Sequence, residues 1–210
     1  MASINSVTGP IDSADLGFTL MHEHVLVAAS GLTQSYPDLL GQNYESRAID
    51  CLKKAKANGI DTMLDATTFD LGRDPRLLQR VAAASGVNLI NVTGWWLDVP
   101  RFMHGVGANQ MADEFIRDLT EGFRGTDIKA GMLKCAADFE GVTPPLETMA
   151  RAVARAHVQT GVPIMVHSYP TGQVGRRQIQ IFREEGVDLS RVKIDHCNDT
   201  TDTEYLQWIL

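Results

Sequence analysis

Apolar residues along this chain fall into short runs, separated by longer stretches in which they recur every three or four positions. That is the pattern of strands alternating with amphipathic helices. The runs are Leu20–Val25, Thr62–Asp65, Asn88–Thr93, Ala130–Cys135, Ile164–His167 and Val192–His196. They are short and apolar, as strands buried on both faces should be. Between them Leu78, Val81 and Ala82, and later Leu146, Met149, Val153 and His157, lie at helical spacing and give each helix one apolar face to lay on a sheet. From Tyr44 onward each helical pattern closes on glycine followed by Val or Ile, at Gly59-Ile60, Gly86-Val87, Gly161-Val162 and Gly186-Val187. Glycine takes the left-handed conformation that ends a helix and turns the chain into the next strand. Asp74-Pro75 and Thr143-Pro144 place a capping oxygen ahead of a proline at the first helical position.

Strict alternation at this spacing predicts right-handed crossovers and a parallel sheet. About six β/α units can be counted, the last helix beginning near Thr201 and running to Leu210. Ahead of them, Ile4–Val7 and Pro10–Ile11 around Thr8-Gly9 predict a small hairpin or strand pair. The expected class is α/β, of the (β/α)8 TIM-barrel type, with residues 1–210 forming one partial barrel domain.

The chemistry is concentrated at the C-terminal ends of these strands, where barrel enzymes place their catalytic groups. His22 and His24 end the first strand, Lys134 lies near the end of the fourth, and His167 and His196 end the fifth and sixth. Strand side chains alternate faces, so His22 and His24 point the same way and make a chelating pair. Neutral imidazole is the commonest protein ligand for zinc-like metals. A lone histidine at a strand end is usually a hydrogen-bonded structural residue; five ligand-type residues at successive ends are a site.

Composition narrows the function. Acidic residues outnumber basic ones 26 to 19, for a net charge of −7. With no basic block to neutralise phosphates, nucleic acid is not an expected partner. The opening residues have no signal-peptide character and no segment is apolar enough to span a bilayer, so a cytoplasmic protein is expected. Cys51, Cys135 and Cys197 are an odd set without C-x-x-C spacing; each is expected to be a reduced, half-buried residue.

The segments Ile4-Asn-Ser-Val-Thr-Gly-Pro10, Gly17-Phe-Thr-Leu-Met-His-Glu-His24, Ala130-Gly-Met-Leu-Lys134, Thr160-Gly-Val-Pro163 and His196-Cys-Asn-Asp-Thr200 carry a resemblance over nearly the whole chain. In order and spacing the sequence resembles the phosphotriesterase family of the amidohydrolase superfamily, binuclear-metal (β/α)8 barrels that include organophosphate triesterases and lactonases. The resemblance implies two divalent metal ions, with zinc first and cobalt, manganese or iron as alternatives. His22 and His24 would bind the more buried ion, and His167 and His196 the more exposed one. Lys134 would bridge them as N6-carboxylysine, the carbamate formed with carbon dioxide, and so belong to the catalytic centre. The implied substrate is a small-molecule lactone, carboxylic ester or phosphoester.

The same resemblance makes Trp95 or Trp96 a wall of the substrate pocket; packing between barrel and helix is the other reading. Tyr169 and Arg176 could touch substrate or stand in a solvated loop. His157 reads as a packed helix residue, His104 as loop structure, and Asp138 and Glu140 as loop acids. Glu23, between the paired histidines, is expected to be structural.

The family also uses an aspartate after an eighth strand, and these residues contain no eighth strand. Asp65, Asp98, Asp138 and Asp195 do not stand where the family places that acid, and alternation turns Asp195 away from His196. The expectation is a C-terminally truncated member. The rival reading is a catalytically incomplete fragment whose open sheet edges need another chain, with a homodimer as the expected assembly. A third is a barrel aldolase in which Lys134 forms a Schiff base, against which the H-x-H pair argues.

Overall fold

The computed structural model describes residues 2–210. The chain divides into two compact units, one holding the residues up to Thr93 together with Arg117–Gly131, the other Gly94–Ile116 and Met132–Leu210.

In the first unit β1 (Ser3–Ser6) and β2 (Gly9–Asp12) form the expected antiparallel pair, with Ser6 opposite Gly9. The pair is tied to the rest of the unit through its turn. Val7 is 1% exposed, its N–H donates to Leu89 O at 2.9 Å, and its carbonyl accepts from Gln79 Nε2 at 3.0 Å. The Asn5 amide donates to the carbonyls of Leu119 and Ala130. Strands β3 (Thr19–Glu23), β4 (Thr62–Asp65) and β5 (Asn88–Gly94) follow, parallel and in chain order.

After β3 comes a short helix, α1 (Leu32–Ser35), and then α2 (Tyr44–Ala57); α3 (Pro75–Ser85) connects β4 to β5. Helix α3 is bounded as its sequence predicts: the Asp74 carboxylate accepts from Leu77 N at 2.9 Å, Pro75 fills the first position, and Gly86 closes the end at φ 75°. Leu78, Val81 and Ala82 are buried.

The second unit repeats the arrangement. Its parallel strands are β6 (Met132–Ala136), β7 (Ile164–His167) and β8 (Val192–Ile194), again in chain order. Helix α4 (Ala108–Thr120), which belongs to this unit as far as Ile116, precedes β6, α5 (Pro144–Thr160) and α6 (Gly175–Glu185) lie between the strands, and α7 (Thr203–Ile209) follows β8. Leu146, Met149, Val153 and His157 are buried along one face of α5. His157 is the packed residue expected: Nδ1 donates to Val162 O at 2.8 Å and Nε2 accepts from Asp188 N at 3.3 Å.

Three local expectations are corrected. The Thr143 side chain makes no capping hydrogen bond, and Pro144 alone sets the start of α5. The last helix starts at Thr203, where Asp202 accepts from Tyr205 N at 3.0 Å and fixes the boundary. The cysteines are not alike: Cys51 is exposed, Cys135 fully buried, and only Cys197 intermediate. Burial pushes the Cys135 thiol up to about 12, which removes it as a nucleophile. Among the described residues no helix is long and apolar enough to cross a membrane.

Candidate metal centre

In the first unit β3 ends at Glu23 and His24 lies one residue beyond it. The strand does not run evenly against β4: Leu20 pairs with Met63 but Glu23 with Asp65, so an irregularity falls on Met21 and His22. The two imidazoles nevertheless stand together, ring centroids 5.5 Å apart. His22 is half-buried and His24 exposed.

The ring of His24 is set from β4. Its Nδ1 lies 2.9 Å from Thr67 Oγ1, and the Thr67 hydroxyl is bonded in turn to Asp65. Asp65 also accepts from the backbone N–H groups of Val25 and Thr67, each at 2.9 Å. It is 1% exposed, and burial raises its carboxyl against the pull of those hydrogen bonds. Thr67 thus holds the His24 ring by Nδ1, and Nε2 is the nitrogen turned from that contact. A hydroxyl and carboxylate behind an imidazole are the usual support of a metal-ligating histidine.

In the second unit Lys134 lies at the middle of β6 with its side chain 2% exposed. Its Nζ donates to Asp195 Oδ2 at 3.1 Å. Burial pushes the amine down to about 7. The backbone leaves no slack here, because a Cβ at Gly94 would overlap the Lys134 carbonyl; Gly94, at φ 128°, is required by that approach.

His167 ends β7 with Nε2 at 2.9 Å from Asp138 Oδ2. Burial, reinforced by His196 and Lys134, holds its pKa below the ordinary value despite that carboxylate. A neutral imidazole whose Nε2–H is held by Asp138 keeps the lone pair on Nδ1. The His196 ring stands 4.5 Å from that of His167, and the Trp96 ring 5.7 Å from it, edge on.

Sequence reasoning missed Thr67 behind His24 and misread two further partners. Asp138 is not an idle loop acid: one oxygen holds His167, and the other accepts from Phe139 N at 2.7 Å. Its place just past a ligand-bearing strand was the available signal. Asp195, expected to turn away, instead pairs with Lys134. Register places Asp195 on the face of Lys134, and the backbone of His196, left-handed at φ 64°, breaks the alternation after it, so that the next residue comes beside His167.

The tryptophans separate. Trp95 is 8% exposed and packs edge to face on Phe115 at 5.1 Å, whereas half-buried Trp96 meets His167. Packing is therefore the role of Trp95, and the pocket-wall reading is left to Trp96. Arg176 is engaged by Gln173 and by the ring of Trp208, and His104 Nε2 lies 3.2 Å from Val99 O within its loop. Glu140 is exposed.

Among the described residues no three His, Cys, Asp or Glu side chains are grouped to hold a metal ion. Each unit supplies one imidazole pair, and the remaining ligand-type residue is Lys134. The donor chemistry fits divalent metal in three respects: histidines backed by Thr67 and Asp138, a lone pair on His167 Nδ1 left by its bond to Asp138, and a buried amine lowered to about 7, whose neutral form reacts with carbon dioxide.

Six parallel strands, each followed by a helix, with imidazoles at or just past the ends of β3, β7 and β8 and a buried lysine at the middle of β6 rather than at its end, define a barrel-type α/β protein. The phosphotriesterase family profile matches residues 2–210. A phosphotriesterase homology protein of Mycobacterium tuberculosis strain H37Rv is 45% identical over 221 residues, covering 100% of this chain and 68% of the relative. An aryldialkylphosphatase of Saccharolobus solfataricus is 40% identical over 202 residues, covering 95% of this chain and 64% of the relative. The solved structure of the phosphotriesterase from Mycobacterium tuberculosis superimposes with a TM-score of 0.94 over 99% of this chain and 68% of its own. This chain belongs to the phosphotriesterase family. It spans about two thirds of the length of these relatives.

Proposed function

We propose that the protein is a binuclear metal-dependent hydrolase of lactone, carboxylic ester or phosphoester bonds. The observation that carries the proposal is Lys134, a lysine with a 2% exposed side chain whose amine is lowered to about 7 in a strand of a phosphotriesterase-family fold. Lysine is seldom buried without a reason, and here the reason is conversion to a carbamate, which trades a cation for a two-oxygen anion able to serve two metal ions. On this reading His22 and His24 hold one divalent ion, His167 and His196 the other, and carboxylated Lys134 both. Zinc is the first choice, with cobalt, manganese and iron compatible with the same donors.

Bound divalent ions supply Lewis acidity toward the ester oxygen and make a water nucleophilic near neutral pH. The chain's own contribution is to place and dry the site. The Asp65–Thr67 pair orients His24, Asp138 orients His167, and the Trp96 ring offers an apolar surface beside His167. A homodimer in the cytoplasm, taking a small-molecule substrate, completes the proposal.

The buried, near-neutral amine also suits Schiff-base chemistry, which gives the aldolase reading its one supporting observation. Protein purified without chelator, with bicarbonate and zinc present, is therefore assayed for metal content, for turnover of γ-lactones and an aryl dialkyl phosphate, and for borohydride trapping of carbonyl compounds. The expected result is zinc that depends on both histidine pairs, hydrolysis that requires it, and no trapped adduct. Equal zinc in wild type and in the His22→Ala/His24→Ala and Lys134→Ala variants overturns the proposal, and an adduct on Lys134 replaces it.

A further inference from the structure

His167 ends β7, but His196 lies two residues past β8, in a left-handed conformation at φ 64° that opens the turn Cys197–Asp199. Strand pairing therefore does not by itself set the distance between the two rings. Inside that turn Asp199 N donates to His196 O at 2.9 Å, and Asp199 Oδ2 stands 3.3 Å from His196 Nδ1. The turn leads into α7, and α7 is fastened to the stretch that follows His167.

The fastening has two parts. Asp202 caps α7 with one oxygen, accepting from Tyr205 N at 3.0 Å, and with the other accepts from Gln173 Nε2 at 2.6 Å. Gln173 accepts in turn from Arg176 Nε at 2.7 Å. Tyr205, fully buried, sets its ring against Gly175 at the first position of α6. A Cβ at Gly175 would overlap the Tyr205 hydroxyl, so glycine there makes room for tyrosine. Trp208 stacks on Tyr205 at 6.5 Å, and the Arg176 guanidinium lies 4.5 Å over the Trp208 ring. Gln173, Gly175 and Arg176 follow His167 along the chain, whereas Asp202, Tyr205 and Trp208 follow His196.

We propose that α7 is a brace that holds His196 beside His167, with Tyr205 as its positioning residue and the Gln173–Asp202 hydrogen bond as a strut. Two imidazoles on separate strands serve one ion only if they are held within about 0.5 Å of the required places. The brace supplies that precision beyond the end of β8. This role rests on the reading of His167 and His196 as ligands of one divalent ion.

The full chain is labelled with ¹⁵N and ¹³C, and the contact between the two rings is read without metal, as the nuclear Overhauser effect between their ring protons. Zinc affinity is then measured against a competing chelator, with His22→Ala/His24→Ala and His167→Ala/His196→Ala assigning each ion to its pair. Gly175→Ala should weaken the ring contact and lower the affinity of the zinc held by His167 and His196 about tenfold or more, leaving the other zinc within about threefold. Gly175→Ala/Tyr205→Phe should restore both readings. Without the hydroxyl, the atoms nearest the new methyl are Ser168 Oγ at 3.3 Å and Ile209 Cδ1 at 3.4 Å, and the hydroxyl makes no well-aligned hydrogen bond to lose. Gln173→Ala should act in the same direction as Gly175→Ala, and Gln173→Lys, which keeps a donor within reach of Asp202, should lose much less.

A merely structural role predicts that both zinc affinities fall together with the urea midpoint, without selective rescue. Ring contact and zinc affinity of Gly175→Ala equal to wild type, or a double variant no better than the single, overturns the brace. If Gly175→Ala fails to fold, Gln173→Ala decides the matter, and wild-type ring contact and affinity in that variant overturn the inference. Wild type that binds no zinc overturns the metal reading, with the ring contact still deciding the brace.

Discussion

The Asp138 carboxylate meets His167 Nε2 at 2.9 Å across the ends of two neighbouring strands. Its other oxygen accepts from Phe139 N, and the loop closes on itself where Gly141 N donates to Asp138 O at 2.7 Å. Asp138 is therefore fixed by its own loop before it touches the imidazole, and the hydrogen bond orients His167 rather than following it.

Asp138→Ala should release the His167 ring and weaken metal binding about 10–100-fold, the usual range for a residue supporting a ligand. Asp138→Asn, which keeps an acceptor oxygen, should lose much less. Competition with a fluorescent zinc chelator measures the metal effect, and the ¹⁵N chemical shifts of His167 report its tautomer without metal. Unchanged affinity and tautomer in the alanine variant would show that His167 needs no such partner.

The two adjacent tryptophans should respond oppositely to truncation. Trp95→Ala removes a buried ring from Phe115 and should cost about 3–5 kcal/mol in urea unfolding. Trp96→Ala should cost much less stability, yet change KM for lactone or phosphoester substrates by altering the surface beside His167. A stability loss from Trp96 equal to that from Trp95 would remove the distinction.

Gly94→Ala should be among the most damaging small substitutions in the chain. It imposes a Cβ at φ 128° and drives it into the Lys134 carbonyl, so the expected cost is at least about 1–3 kcal/mol, with reduced zinc content because the β6 backbone must shift. Calorimetry and metal analysis on the same sample check both halves. An alanine variant with wild-type unfolding temperature and metal content would show that the backbones are not so closely matched.

Helices α5 and α6 are joined by an ion-pair network in which Arg151 contacts Glu147, Glu184 and Glu185, and Arg155 contacts Glu185. Hydrogen bonds from the arginines hold all three carboxyls below their ordinary value of 4.5. Their stabilising share is complete above the unfolded value and is lost as pH falls through the lower folded values, so the unfolding temperature should drop on acidification below about pH 4.5. Arg151→Met should lower stability near neutral pH by about 1 kcal/mol, or about 2–4 °C, and flatten that acid limb. Parallel acid limbs in wild type and variant would assign the loss to other carboxylates.

The barrel-type architecture was legible because its signals are local. Gly59, Gly86, Gly161 and Gly186 all adopt the left-handed conformation their positions demand, and strands β4 and β7 begin and end where the apolar runs do. The family could be read for a related reason: ligand-type residues at strand ends keep a fixed order and spacing along the chain. His22 and His24 were found as a pair because one strand carries both.

Contacts between strand ends were not legible, because they depend on register and on single backbone angles that periodicity does not encode. Thr67 behind His24 and Asp138 behind His167 follow from which residue of one strand stands level with which residue of the next. The choice between Trp95 and Trp96 was made by Phe115, from a helix elsewhere in the chain. Asp195 shares the face of Lys134 through the register of β6, β7 and β8, whereas His196 comes beside His167 through a left-handed turn that alternation does not predict. The sequence by itself determined the succession of elements and the ligand-type residues at their ends, since hydrophobic spacing and helix stops act within a few residues. Only the tertiary structure decided which side chains orient and neutralise those residues, since hydrogen bonds and buried charges are settled by approach between segments distant along the chain.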